Sequence, residues 1–173
     1  MQNRRNSLFL LAAGLAALTV GLALPAAGAE YRLTGLAAPD FALRSTGGPN
    51  IRLSEHRGEV VLVAFFGSRC DQCVDQLAVL SRMVDTYKSA GLAALAVNVD
   101  DDQAKAVQFI AAHRTSFPML LDPEKSVARI YRVDNLPMLL LVDRAGAIRY
   151  AYRDFHSRDE AVYLAQTRQL LDE

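Results

Sequence analysis

Seven consecutive apolar residues, "VVLVAFF" at Val60–Phe66, end four positions before the first of the chain's two cysteines. An unbroken apolar, β-branched run of this length suits a strand buried on both faces of a sheet. Just after it the periodicity changes. Cys73, Leu77, Leu80, Val84 and Tyr87 recur at spacings of four and three, which draws one apolar stripe along a helix. A buried strand must stop and a helix must start within a few residues, and Cys70 falls on that junction.

The rest of the chain repeats the alternation. "LAALAVNVD", Leu92 to Asp100, reads as a second buried strand, and Asp100 with Gln103 as the cap of a helix to about His113. "MLL" at 119–121 is a short strand. Asp122-Pro123 is an N-cap and first-turn pair for a helix reaching about Tyr131. "MLLLVD", Met138 to Asp143, is the next strand, and Ala145-Gly146 turns it into "AIRYAY" as an antiparallel hairpin. Ser157 and Glu160 have the spacing of a capping box for a last helix to about Leu171. Residues 30–58 are loop-rich, with short extended pieces at "DFAL" and "NIRL" around a turn at Gly47-Gly48-Pro49. This order predicts a single α/β domain over residues 30–173, with a mixed central sheet, helices on both faces and an N-terminal extension.

Residues 1–29 differ from the remainder. Arg4 and Arg5 precede the apolar run Leu8–Leu24, and Ala27 and Ala29 fit a small-residue cleavage site before Glu30. The segment is read as a signal peptide, with an uncleaved N-terminal anchor as the alternative; either sends the domain out of the cytoplasm. Formal net charge is zero, from 19 basic and 19 acidic residues, so no global surplus points to nucleic acid. The mature domain is large enough to bury roughly two thirds of its unfolded chain's surface and needs no disulfide to stay folded.

Three readings compete for Cys70 and Cys73. A structural staple closing so small a loop removes little chain entropy. A zinc site lacks ligands, because one C-x-x-C supplies two, and His56, His113 and His156 have no ligand spacing; no metal is expected. A redox pair fits best. A helix N-terminus favours the thiolate at Cys70, while Cys73, one turn further in, is placed to resolve a mixed disulfide. Pro137, just before the strand at 138, belongs at a strand's first position because proline donates nothing to a ladder. A cis Leu136–Pro137 bond and an ordinary trans one both remain open on the sequence.

"APDFAL…GGPNIRLSEHRGEVVLVAFFGSRCDQC" and "VNVDDDQAKAVQFIAAHRTSFPMLLDPEKSVARIYRVDNLPMLLLVDRAGAIRY" resemble the TlpA/ResA-like thiol–disulfide oxidoreductases, in the redoxin branch of the thioredoxin fold. The resemblance covers nearly all of residues 38–173. It implies a thioredoxin-like domain, Cys70 as attacking cysteine, Cys73 as resolving cysteine and Pro137, after Leu136, as a cis-proline beside the site. It implies no cofactor beyond the redox-active Cys70–Cys73 disulfide. The chain also departs from the family's pattern. Phe66 stands at the second aromatic of the lead-in, and Arg69 replaces a tryptophan before the first cysteine. Asp71-Gln72 replaces a dipeptide that usually contains proline, and Gln76 replaces a glutamate. Ala64 stands where thioredoxins carry a buried acid, and Asp75 points to another helix face. Arg69 favours a Cys70 thiolate and Asp71 opposes it.

The resulting expectation is an exported enzyme, periplasmic and either soluble or anchored, that reduces disulfides in exported partner proteins and receives electrons from a membrane-embedded thiol donor. A thiol-dependent chaperone or metallochaperone for cytochrome or copper-site assembly is the alternative. A peroxidase is disfavoured because Val63 and Gly67 stand where peroxiredoxins carry their site proline and hydroxyl.

Overall fold

All seven residues of Val60–Phe66 are buried, and they form β3, an interior strand of the central sheet. The structure is a computed structural model and describes residues 31–173. The signal peptide or anchor expected over residues 1–29, and the Glu30 start of the mature domain, lie outside the described residues.

Along the chain come β1 (Ala42–Ser45), β2 (Asn50–Arg52), β3 and α1 (Asp71–Tyr87), then β4 (Leu92–Asn98) and α2 (Gln103–Ala112). They are followed by β5 (Met119–Leu121), α3 (Ser126–Ile130), β6 (Met138–Val142), β7 (Ile148–Tyr152) and α4 (Glu160–Asp172). One seven-stranded sheet runs in the order β2-β1-β5-β4-β3-β6-β7. β4 pairs in parallel with β3 and β5, and the other neighbours pair antiparallel. The mixed sheet expected from the sequence is therefore present.

The period-two alternation of β3 divides its side chains between two cores. Val60, Leu62, Ala64 and Phe66 pack with Cys73, Leu77 and Leu80 of α1 and with Tyr163 and Leu170 of α4. Val61, Val63 and Phe65 pack on the other face with Val127 of α3, Tyr131 and the N-terminal Tyr31 and Phe41. Each large side chain withdrawn from water here contributes on the order of 2 kcal/mol. Two tyrosines bind the N-terminal segment to this second face. Tyr31 Oη donates to the Tyr131 carbonyl at 2.5 Å, and Tyr131 Oη donates to the Pro39 carbonyl at 2.6 Å.

Three expected details are corrected. Asp102, not Asp100, caps α2, accepting from the N–H groups of Ala104 and Lys105. Asp122 does not start a helix at Pro123. Pro123 and Glu124 form a turn, Lys125 is left-handed at φ 52°, and α3 begins at Ser126. The buried Asp122 carboxylate still caps it from a distance, accepting from Ser126 and Ala128 N–H. Ser157 opens a 3-10 turn in which Asp159 accepts from His156 N–H, and α4 begins at Glu160. Glu160 is drawn instead to Arg82 of α1, 3.0 Å away. Tyr87, at the end of the expected α1 stripe, is half-buried against the core, with Arg168 over its ring and Arg168 Nε donating to its hydroxyl at 2.7 Å.

Burial pushes the hydroxyls of Tyr31 and Tyr152 up to about 12 and raises those of Tyr131 and Tyr163 as well. An unfolded tyrosine ionises near pH ~10, so the folded state binds these protons more tightly. The stability they contribute is complete below pH ~10 and is lost as the pH rises towards 12. Unfolding followed by circular dichroism is expected to coincide with the late part of the tyrosinate absorbance rise. Complete ionisation of all six tyrosines near pH ~10 with unchanged dichroism would contradict this.

Candidate active site

β3 delivers the chain to the site and α1 carries it away. After Phe66 the buried Gly67 begins a tight turn, closed by Cys70 N–H donating to the Gly67 carbonyl at 3.2 Å. Cys70 is the N-cap residue of α1, with extended backbone at φ −115°, and Cys73 N–H donates to its carbonyl at 3.1 Å. Both cysteines therefore sit where the helix presents unpaired N–H groups and a partial positive charge. Their sulfurs are bonded at 2.07 Å and their Cα atoms are 5.3 Å apart.

The two sulfurs occupy different environments. Cys73 is 0% exposed and belongs to the core around Phe66 and Leu77. Cys70 is half-buried and lines an open cleft of about 510 Å³. Arg69, Asp71 and Gln72, all exposed, share the Cys70 wall of that cleft. Leu136, Asn135 and Asp134 form the opposite wall, just ahead of the buried Pro137, and the Leu136–Pro137 bond is cis. Asp100, Asp101 and Lys125 supply a third side. The Lys125 ammonium, 3.1 Å from Asp101, holds that carboxyl below the usual carboxylate range, with a smaller contribution from Arg69.

Six of the expected site residues thus meet in one cleft: Cys70, Arg69, Asp71, Gln72 and Leu136 on its walls, with Pro137 immediately behind Leu136. Phe66 and Gln76 are placed elsewhere. Phe66 is in the core, its ring 5.7 Å from that of Phe109 of α2. Gln76 is 1% exposed, and its Nε2 donates to Tyr163 Oη at 3.4 Å. A side-chain amide at that position can hydrogen-bond but cannot exchange a proton at neutral pH. Asp75 is exposed, away from Cys73.

The sequence reading did not place Asp101, Lys125 or Asp134 at the site, and it gave Asp100 a different task. A usable signal was present. β3 and β4 are adjacent and parallel, with Phe66 opposite Asn98. Parallel neighbours end on the same side of a sheet, so the residues after Asn98 must lie beside those after Phe66.

A C-x-x-C disulfide at the head of the helix after a central strand, facing a cis-proline loop on a mixed sheet, defines the class: a thioredoxin-fold thiol–disulfide oxidoreductase. The chain belongs to the AhpC/TSA family, whose sequence profile matches residues 34–151. It is 32% identical over 115 residues to the thiol-disulfide oxidoreductase ResA of Geobacillus kaustophilus, covering 66% of each protein. It is 31% identical over 122 residues to the ResA protein of Bacillus subtilis, covering 70% of this chain and 68% of the relative. The chain spans about two thirds of the length of these curated relatives. A crystal structure from Chlorobium tepidum, provisionally assigned as the thiol:disulfide interchange protein DsbE, superposes with a TM-score of 0.75 at 30% identity. The match covers 78% of this chain and 95% of that one. The family and fold expected from the sequence both hold.

Gly67 is wedged between two neighbours. A Cβ there would lie 3.1 Å from Leu136 Cδ1 and 3.3 Å from Asp100 Oδ1. The Asp100 carboxylate is held by its own hydrogen bonds, so it cannot give way freely. Gly67→Ala is expected to lower unfolding free energy by about 1 kcal/mol or more and to slow thiol exchange at Cys70. Denaturant unfolding and a thiol-exchange assay check this, and wild-type values in both would refute the wedge.

Proposed function

We propose that the protein is an exported oxidoreductase that reduces disulfides in partner proteins by dithiol–disulfide exchange. The observation that carries this reading is the unequal exposure of the pair: Cys70 opens on the cleft and Cys73 is sealed in the core. In the reduced protein the Cys70 thiolate attacks one sulfur of a partner disulfide. The partner S–S bond breaks, one partner thiolate leaves, and a mixed disulfide forms. The Cys73 thiolate then attacks Cys70 Sγ, closing the intramolecular disulfide and releasing the second partner thiolate. Two electrons pass to the partner, and a dithiol donor must return them to this chain.

Export is supported by the basic and apolar character of residues 1–29 and by the thiol:disulfide interchange assignment of the Chlorobium tepidum relative. Among the described residues no helix is long and apolar enough to cross a membrane. A periplasmic domain facing exported disulfide proteins, recharged by a membrane-embedded thiol donor, accommodates these features. Residues 1–29 then act as a cleaved signal or as an anchor.

Equilibration with glutathione buffers tests the reading. The pair is expected to cycle reversibly at a reductant's potential, roughly −270 mV rather than about −120 mV. Cys70→Ser is expected to abolish insulin reduction. Cys73→Ser is expected to accumulate mixed disulfides through Cys70, visible by non-reducing electrophoresis. Full insulin reduction by Cys70→Ser would end the proposal.

A further inference from the structure

Asp100 was expected to cap a helix, and the structure uses it for something else. Its two carboxylate oxygens accept from the backbone N–H of Ser68, at 3.2 Å for Oδ1 and 2.9 Å for Oδ2. Asn98 Nδ2 donates to Oδ2 at 2.8 Å, and Asp100 N–H donates back to Asn98 Oδ1 at 3.0 Å. Asn98 is 0% exposed at the end of β4, so the carboxylate is held from beneath by a side chain packed in place. Ser68 lies two residues before Cys70, inside the turn closed by the Cys70 N–H and the Gly67 carbonyl.

We infer that Asp100 is a positioning residue for Cys70: through the Ser68 amide it keeps the Gly67–Arg69 turn in place, so that Cys70 stays at the N-cap position of α1. The inference rests on the dithiol–disulfide reading above and specifies how that site is held between its two redox states. In the oxidised form the Cys70–Cys73 bond itself ties Cys70 to the helix. Reduction removes that tie. The Asn98–Asp100–Ser68 chain of hydrogen bonds involves no sulfur, so reduction breaks none of it. The helix terminus lowers a thiol's pKa only while the sulfur stays near it, so the anchor favours the Cys70 thiolate in the reduced protein.

A carboxylate also acts through its charge, and that effect has the opposite sign, since negative charge near Cys70 disfavours its thiolate. Arg69, Asp71, Asp101, Lys125 and Asp134 also line the cleft and are left unchanged in the test. The two contributions separate in two variants. Asp100→Asn removes the charge but keeps an oxygen that accepts from Ser68 N–H. Asp100→Ala removes both.

The experiment is the pH dependence of iodoacetamide alkylation of Cys70 in the reduced protein, with the modified cysteine assigned by peptide mass spectrometry. Asp100→Ala is expected to move the midpoint up by about half a pH unit. Asp100→Asn is expected to stay at or below the wild-type midpoint. An Asp100→Ala midpoint that is unchanged or lowered overturns the inference, as does an Asp100→Asn midpoint raised alongside it. If Asp100→Ala does not fold, Asp100→Ser, too short to reach Ser68, replaces it with the same expected direction. Alkylation needs no disulfide partner, so its outcome is separate from the function: failure of the wild-type pair to cycle in glutathione overturns the enzymatic reading and leaves the anchor standing.

Discussion

The burial of β3 on both faces is the constraint on which the other features depend. A strand with Val61, Val63 and Phe65 on one side and Leu62, Ala64 and Phe66 on the other needs a packed layer above and below. That requirement puts α1 and α4 on one face and α3 with the N-terminal segment on the other. It also sets the neighbours. β4 runs parallel to β3 through seven residue pairs, and β6 runs antiparallel from Phe65 opposite Met138 to Val61 opposite Val142. The end of β3, the end of β4 and the start of β6 therefore meet at one edge of the sheet. Cys70, Asp100 and the Leu136–Pro137 loop come together there because the strands that carry them are paired.

The same geometry creates the difference between the two sulfurs. Cys70 precedes the first helical turn, where the chain has just left the sheet and still borders solvent. Cys73 is three residues on, and a helix of about 3.6 residues per turn brings it back over the sheet face with Leu77 and Leu80. No special pocket is needed to shelter it. One C-x-x-C spacing at a strand-to-helix junction gives an accessible sulfur and a protected one, whatever residues lie between. Asp71 and Gln72 are exposed and free to vary in type, so they can adjust the reactivity of Cys70 without disturbing the packing that separates the pair.

Much of this was legible in the sequence where local pattern and tertiary environment agree. The β3 run, the α1 stripe and the C-x-x-C each carry their meaning within a short stretch of chain. Caps were less legible. Asp100, Asp122 and Ser157 all have the right residue type and spacing, yet each helix begins elsewhere. Asp100 is claimed by Ser68, 32 positions away, and Glu160 by Arg82, 78 positions away. A carboxylate near a helix start satisfies whichever N–H or cation the fold brings closest, and that choice is made by strand pairing. The Leu136–Pro137 geometry was undecidable for a similar reason, since a prolyl bond's local preference is small and the surrounding chain selects the isomer.

The replaced acids acquire a different sense in the folded protein. Ala64 and Gln76 stand where the family resemblance implies carboxylic acids, and both are buried in the layer that holds Cys73. Gln76 spends its amide on Tyr163, whose hydroxyl in turn donates to the Asp154 carbonyl at 3.3 Å. The core beside Cys73 is therefore polar only through neutral groups, and no charge has to be buried there. The carboxylates of this site lie on the other side of the disulfide, around the cleft that Cys70 lines, where water screens them and an approaching partner meets them. With a neutral core behind the resolving sulfur and a charged rim around the attacking one, electrostatic control of exchange is concentrated at Cys70.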